Sequence, residues 1–314
     1  MSVVSAYAYR PDQKLTEVLA QRNFTFSAEV IPPRNGAEQA KVLNQIDQLI
    51  SAGAQFLSVT KGAGGSLRGG SLPIAQTIKE RFGVTCIAHF TCRDITVHDV
   101  ENQLIDHHYF GIRNILALRG DPPQGQPDWK PREGGHNYAY QLIEQIRQLN
   151  QGKYLVRPGG PPAEGNEKTD FCIGAAVYPE HPNEEERLRF FKLKVEAGAE
   201  YGITDMLFDP EAYARFRELC EKNGVSVPIL PGTRLLKTQT QARKMAERFR
   251  VSVPTELIRR LPETDADPAA AMEAGIEGLV SLSDKLKSYG APGIHVYVIS
   301  DTAGACAALR KLRI

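Results

Sequence analysis

The chain has no run of about 18 consecutive apolar residues, the length a membrane-crossing helix needs, so a membrane span is not expected. It has no surplus of one charge: the formal total is +1, and nothing in it points to nucleic acid. Disulfide and metal chemistry are equally thin. The five cysteines (Cys86, Cys92, Cys172, Cys220 and Cys306) are odd in number and form no C-x-x-C pair, which argues against a disulfide framework and for a reducing, cytoplasmic compartment. His107 and His108 are adjacent and diverge on a helix, so no metal site is expected. The first twenty residues carry no basic head followed by a long apolar run, and a secretory leader is not expected. Neither G-x-x-x-x-G-K-[ST] nor a G-x-G-x-x-G after the first strand occurs, which removes the commonest phosphate and dinucleotide signatures.

What is present is rhythm. Short apolar segments at 24–30, 56–60, 84–90, 112–118, 171–178, 202–208, 226–230 and 294–299 read as strands. Helical periodicity fills 38–52, 71–82, 96–110, 137–150, 184–198, 210–223, 237–249 and 267–289, with a last helix at 303–312. In VLNQIDQLISAGAQFLSVT, Val42, Ile46, Leu49 and Ile50 follow helical spacing, and Gly53 stops the helix where a left-handed residue is cheap. Strand then helix, eight times, predicts an α/β fold: a single (β/α)8 TIM barrel over 24–314 behind a short N-terminal extension, 1–23. A doubly wound sheet is the alternative, because local pattern does not show whether the sheet closes. The Gly/Pro-rich stretch 151–169 is expected to be a surface loop, either functional, as a lid or an oligomer contact, or disordered at its centre.

Several polar residues fall at the predicted strand ends, where barrel enzymes place their chemistry. Glu29 closes FTFSAEV before two prolines; it reads either as a proton donor with a raised pKa or as a rim ion pair. Asp121, after Arg119 and Gly120 and before Pro122, reads as a ligand contact or as a plain turn. Thr60 precedes the Gly-rich KGAGGS loop, whose backbone N–H groups suit an anion or a flexible rim. His89 and His181 fall at the same rim after different strands.

Taken in order, FSAEVIPPR, SVTKGAGGS, HFTC, GIRNILALRGDPP, YPEHP, KVEAGA and ITDMLFD resemble the methylenetetrahydrofolate reductase family over about residues 24–300. That resemblance implies a barrel reducing 5,10-methylenetetrahydrofolate to 5-methyltetrahydrofolate with NADH or NADPH, through FAD. It implies that Glu29 protonates folate N10 and that Asp121 lies near the flavin pyrimidine and the pterin. Thr60, His89, Arg119, Gly120, Tyr138, Ala139, Tyr178 and His181 match flavin-contacting positions, and Lys194 a basic residue near the cofactor phosphates. The implied partners are a folate and a nicotinamide nucleotide, with a homo-oligomer as the common state of such barrels.

The chain also departs from the family pattern. Asp205 stands where the family has a folate-holding glutamine; it could accept from the pterin amino and N–H edge. Lys61 replaces a tyrosine, Arg187, Phe190 and Leu193 replace polar residues at the flavin's diphosphate and adenosine end, and Ser300-Asp301 replaces Asn-Arg. Three further readings stay open: direct hydride transfer from NADH without flavin, methyl transfer on a pterin substrate, and a non-catalytic folate- or nucleotide-binding barrel.

Overall fold

The computed structural model describes residues 9–312 except 22–23, 67–68, 124, 127, 161 and 300. Ser300, part of the expected departure at the chain's end, and the outer part of the 1–23 extension lie outside the described residues.

Eight parallel strands close into one barrel in sequence order: β1 (Thr25–Val30), β2 (Phe56–Val59), β3 (Thr85–Thr91), β4 (Asn114–Leu118), β5 (Cys172–Val177), β6 (Tyr201–Met206), β7 (Ile229–Thr233) and β8 (Gly293–Tyr297). The helices are α1 (Leu15–Ala20), α2 (Gln39–Ala52), α3 (Ser71–Phe82), α4 (Val97–Tyr109), α5 (Ala139–Asn150), α6 (Glu184–Ala197), α7 (Pro210–Lys222), α8 (Gln239–Phe249), α9 (Thr255–Arg260), α10 (Pro268–Ser288) and α11 (Thr302–Leu312). Closure decides against the doubly wound alternative. Gly53 takes the left-handed cap of α2 as expected, with φ 116°.

Three elements depart from the expected reading. The seventh strand starts three residues late, after Pro228, which has no N–H for the ladder. α9 and α1 had no place in the eightfold reading; each has only six residues, too few to show a helical period.

α1 belongs to the core. Leu15, Val18 and Leu19 pack with Phe56, Ile87, Leu116, Cys172, Tyr201, Ile203 and Leu230, the residues that line the barrel's interior. The segment is latched at the N-terminal ends of β3 and β4. Asp12 Oδ2 accepts from Cys86 N at 2.9 Å and from Asn114 Nδ2 at 3.2 Å, and Leu15 N donates to Asn114 Oδ1 at 2.6 Å. The bottom of the barrel is therefore stoppered.

The loop between α5 and β5 enters its strand from that same lower end. Glu101 on α4 holds it, accepting from Leu155 N at 2.8 Å and Arg157 at 2.9 Å. A loop fixed there cannot act as a lid over the strand C-terminal ends, and that reading of 151–169 is set aside. Among the described residues no helix is long and apolar enough to cross a membrane, and no group of three or more His, Cys, Asp or Glu could hold a metal.

Candidate active site

The strand C-terminal ends form the open mouth. Glu29 stands in register with Ser58 on β2 and Tyr297 on β8, and points inward with 9% of its surface exposed. His89, from β3, brings Nε2 to 3.9 Å from Glu29 Oε2. Burial pushes the Glu29 carboxyl up to about 8 and the His89 imidazole down to about 4. Burial thus favours the uncharged form of both groups, a carboxylic acid facing a neutral ring.

Below them lies a polar layer that the sequence reading missed. His295, fully buried, contacts Ser27 Oγ through Nδ1 at 2.8 Å and Ser58 Oγ through Nε2 at 2.9 Å. Ser27 gives its one proton to the Ile294 carbonyl at 3.0 Å, so Nδ1 carries the imidazole proton and Nε2 accepts from Ser58. Burial lowers this ring to about 3. The floor under Glu29 is thus fixed and uncharged.

Asp205 reaches the mouth through an irregularity. Ile203 pairs with Leu230 and Met206 with Gly232, so β6 holds one extra residue against β7. Such a bulge re-aims a side chain. Thr204 Oγ1 accepts from Gly232 N at 2.9 Å, and the Thr204 carbonyl accepts from the Tyr297 hydroxyl. The Asp205 carboxyl is raised to about 7, first by burial and then by Glu180, and its buried Oδ1 has no partner. Tyr297, also unforeseen, occupies space that a Cβ at Gly232 would take. Its position two residues beyond His295, on the same face of β8, was the available signal.

Arg119, Asp121 and Tyr178 gather on the neighbouring stretch of rim. Tyr178 is half exposed, yet its hydroxyl is held above the ordinary phenol range, first by desolvation and then by the Asp205 and Asp121 charges, with Arg119 opposing. Asp121 is exposed, and its loop is fixed by Arg93, another residue that pattern alone did not mark. Arg93 donates to the Asp121 carbonyl at 2.7 Å and to the Ser66 carbonyl at 3.2 Å, tying the β4 loop to the Gly-rich β2 loop. Gly120, with φ 91°, lets this happen: a Cβ there would lie 2.8 Å from Arg93 Cβ.

Thr60 is buried, and its Oγ1 has no partner; the same holds for His89 Nε2. His181 is exposed and its Nδ1 accepts from Asn183 N at 3.3 Å. Lys61 turns away from the mouth, donating to Gln103 on α4 at 2.6 Å over the Phe90 ring. Asp301 caps α11 through Gly304 N and pairs with Lys237 at 3.2 Å, which accounts for an acid at that position.

The resemblance implies a flavin dinucleotide, and the two ends of the site differ toward it. The unpartnered Thr60 Oγ1 and His89 Nε2 suit the polar edge of a flat ring. At the dinucleotide end, Tyr138 stacks on Tyr140 (centroids 5.5 Å, 11°) and on Phe190 (6.2 Å, 28°). Ala139 is the first residue of α5, and Leu193 is partly buried. Lys194 Nζ is bonded to the Ala176 carbonyl at 2.7 Å and Arg187 to the Pro179 carbonyl at 2.5 Å. The residues present do not fit a resident flavin dinucleotide.

The chain matches the family model for methylenetetrahydrofolate reductase over residues 14–312. It is 32% identical to 5,10-methylenetetrahydrofolate reductase of Escherichia coli K12, over 92% of this chain and 90% of that one. It is 28% identical to methylenetetrahydrofolate reductase (NADH) 1 of Arabidopsis thaliana over 95% of its own length, and spans half the length of that plant relative. Among solved structures, a Clostridium thermocellum protein that binds two copies of 5-methyl-5,6,7,8-tetrahydrofolic acid shares the fold, with TM-score 0.57, 14% identity, 95% of this chain and 99% of that chain covered.

Proposed function

Because the chain belongs to the methylenetetrahydrofolate reductase family, we propose that it reduces 5,10-methylenetetrahydrofolate to 5-methyltetrahydrofolate with a reduced nicotinamide nucleotide. The observation that carries this reading is Glu29, buried at the mouth of the barrel, where burial raises its carboxyl to about 8. Opening the methylene bridge needs a proton on N10, the leaving amine. An acid with a pKa near 8 still holds its proton at pH 7 and can release it in the transition state. Neutral His89 leaves that proton unshared, since 3.9 Å is too long for a hydrogen bond.

Loss of N10 leaves an iminium cation at N5. The Asp121 carboxylate on the rim would favour that cation by charge placement. Asp205 would accept from the pterin's amino and N–H edge; its unpartnered Oδ1 supports this, and binding such donors would favour its ionised form. The polar floor of His295, Ser27 and Ser58 holds Glu29 from below without offering it a competing charge.

Members of the family draw their electrons from NADH or NADPH and use a flavin. At the dinucleotide end of this chain the residues do not fit such a flavin. The reductase reading is tested by incubating the purified chain with methylenetetrahydrofolate and NADH or NADPH, with and without FAD, and measuring 5-methyltetrahydrofolate. A folded, folate-binding protein that forms no product under any of these conditions would instead be the non-catalytic barrel.

A further inference from the structure

A dinucleotide that stays bound through turnover needs its diphosphate held by several donors, commonly a helix N-terminus with added cations. The N-terminus of α6, the helix that carries Phe190 of the aromatic stack, disfavours anions. The first turn of α6 carries Glu184, Glu185 and Glu186, and Asn183 Oδ1 takes the Glu186 N–H at 3.1 Å. At α5, Gln141 Oε1 accepts from Asn137 N at 2.8 Å and Tyr138 N at 3.1 Å. Lys194, 9% exposed, is bonded to a β5 carbonyl, Arg187 donates through Nη1 to Pro179 with Glu184 3.9 Å away, and Arg189 lies over the Phe190 ring at 4.8 Å. Phe190, in the stack with Tyr138, offers no hydrogen bond to phosphate or ribose.

The ring end differs. Thr60 Oγ1, just past the end of β2, and His89 Nε2, which faces Glu29 at 3.9 Å, are both buried and without a hydrogen-bond partner. A carboxamide brings one donor group and one acceptor to such a pair.

We infer that this chain keeps no resident flavin, and that the nicotinamide ring of the reductant itself fills the ring site beside Glu29 and passes hydride directly to the folate carbon. This rests on the reductase reading. A resident cofactor must be held at roughly nanomolar strength, whereas a co-substrate needs only a micromolar to millimolar KM. A site with unpartnered polar groups at the ring end and no strong diphosphate clamp suits the second demand.

The step balances without another reagent. The C4–H bond of the dihydronicotinamide breaks with its electron pair, and that pair forms the new C–H bond at the exocyclic carbon. The iminium double bond collapses onto N5, the nicotinamide leaves oxidised, and N10 keeps the proton given by Glu29.

The test uses the full purified chain. Flavin released on denaturation is counted per chain, FAD is titrated in with its fluorescence followed, and turnover is run with NADH deuterated at either face of C4. The expected result is flavin far below one per chain and no tight saturation by FAD. Turnover should be unchanged by FAD, with one NADH epimer delivering its deuterium in full to the product methyl group. Near-stoichiometric flavin, or FAD-dependent turnover that loses the label to water through the exchangeable N–H of a reduced flavin, overturns the inference. No product with or without FAD removes the reductase reading and this inference with it, and the absence of product distinguishes that failure from a flavin relay.

Discussion

Glu29 Oε2 and His89 Nε2 face each other at 3.9 Å as an acid and a neutral base that do not share a proton. Burial sets both states, raising the carboxyl to about 8 and lowering the imidazole to about 4. Glu29 works as an acid only while protonated, so kcat/KM for folate reduction should fall as pH rises through about 8. Glu29→Gln should lower turnover by roughly 10²–10⁴-fold, while 5-methyltetrahydrofolate still binds. Titration calorimetry beside steady-state rates separates the two; an unchanged rate would remove Glu29 from the chemistry.

Asp205 should govern folate rather than nucleotide. Asp205→Ala removes the unpartnered acceptor and should raise the folate KM at least tenfold, in line with about 1.5–3 kcal/mol for a hydrogen bond to a charged group. The NADH KM should change little. Equal shifts in both would place Asp205 outside the pterin edge.

Arg93 ties two loops through two carbonyls, and its side chain is only 7% exposed. Arg93→Lys keeps the charge but loses the fork that reaches both loops. The expected outcome is a marked drop in kcat/KM with a small change in Tm, checked by kinetics and thermal unfolding; wild-type kinetics would show that the loops hold their places without it.

The barrel was legible in the sequence because each βα unit repeats one local grammar, as in 42–60. Glu29, His89 and Asp121 were legible because they sit at strand ends, Glu29 and Asp121 just ahead of prolines. Arg93, Tyr297 and the His295 layer were not. Their importance comes from contacts across strands: Arg93 reaches Ser66 and Asp121, and His295 joins serines 268 and 237 positions away. Asp205 was noticed as a substitution, but the bulge that turns it into the mouth is a register property of two strands.

Asp12 makes a prediction about stability. Its carboxyl is raised from 3.8 to about 7, with burial outweighing the bonds from Cys86 and Asn114. The folded chain therefore holds a proton that the unfolded chain releases, and this group's contribution to stability falls as pH rises between those two values. Asp12→Asn keeps an oxygen for both donors and removes the titration. Urea unfolding across that window should show a flatter pH dependence in the variant; an identical slope would assign the dependence to other carboxyls.

The latch around Asp12 and Leu15 also bears on the order of events. With α1 seated in one end of the barrel, everything that reacts must come and go by the same doorway. Two large, flat reactants sharing a single entrance have to queue, and whichever lies deeper leaves last. Steady-state inhibition by each product against each substrate should therefore reveal a fixed sequence of arrivals and departures, written into the chain by a six-residue helix far from the chemistry.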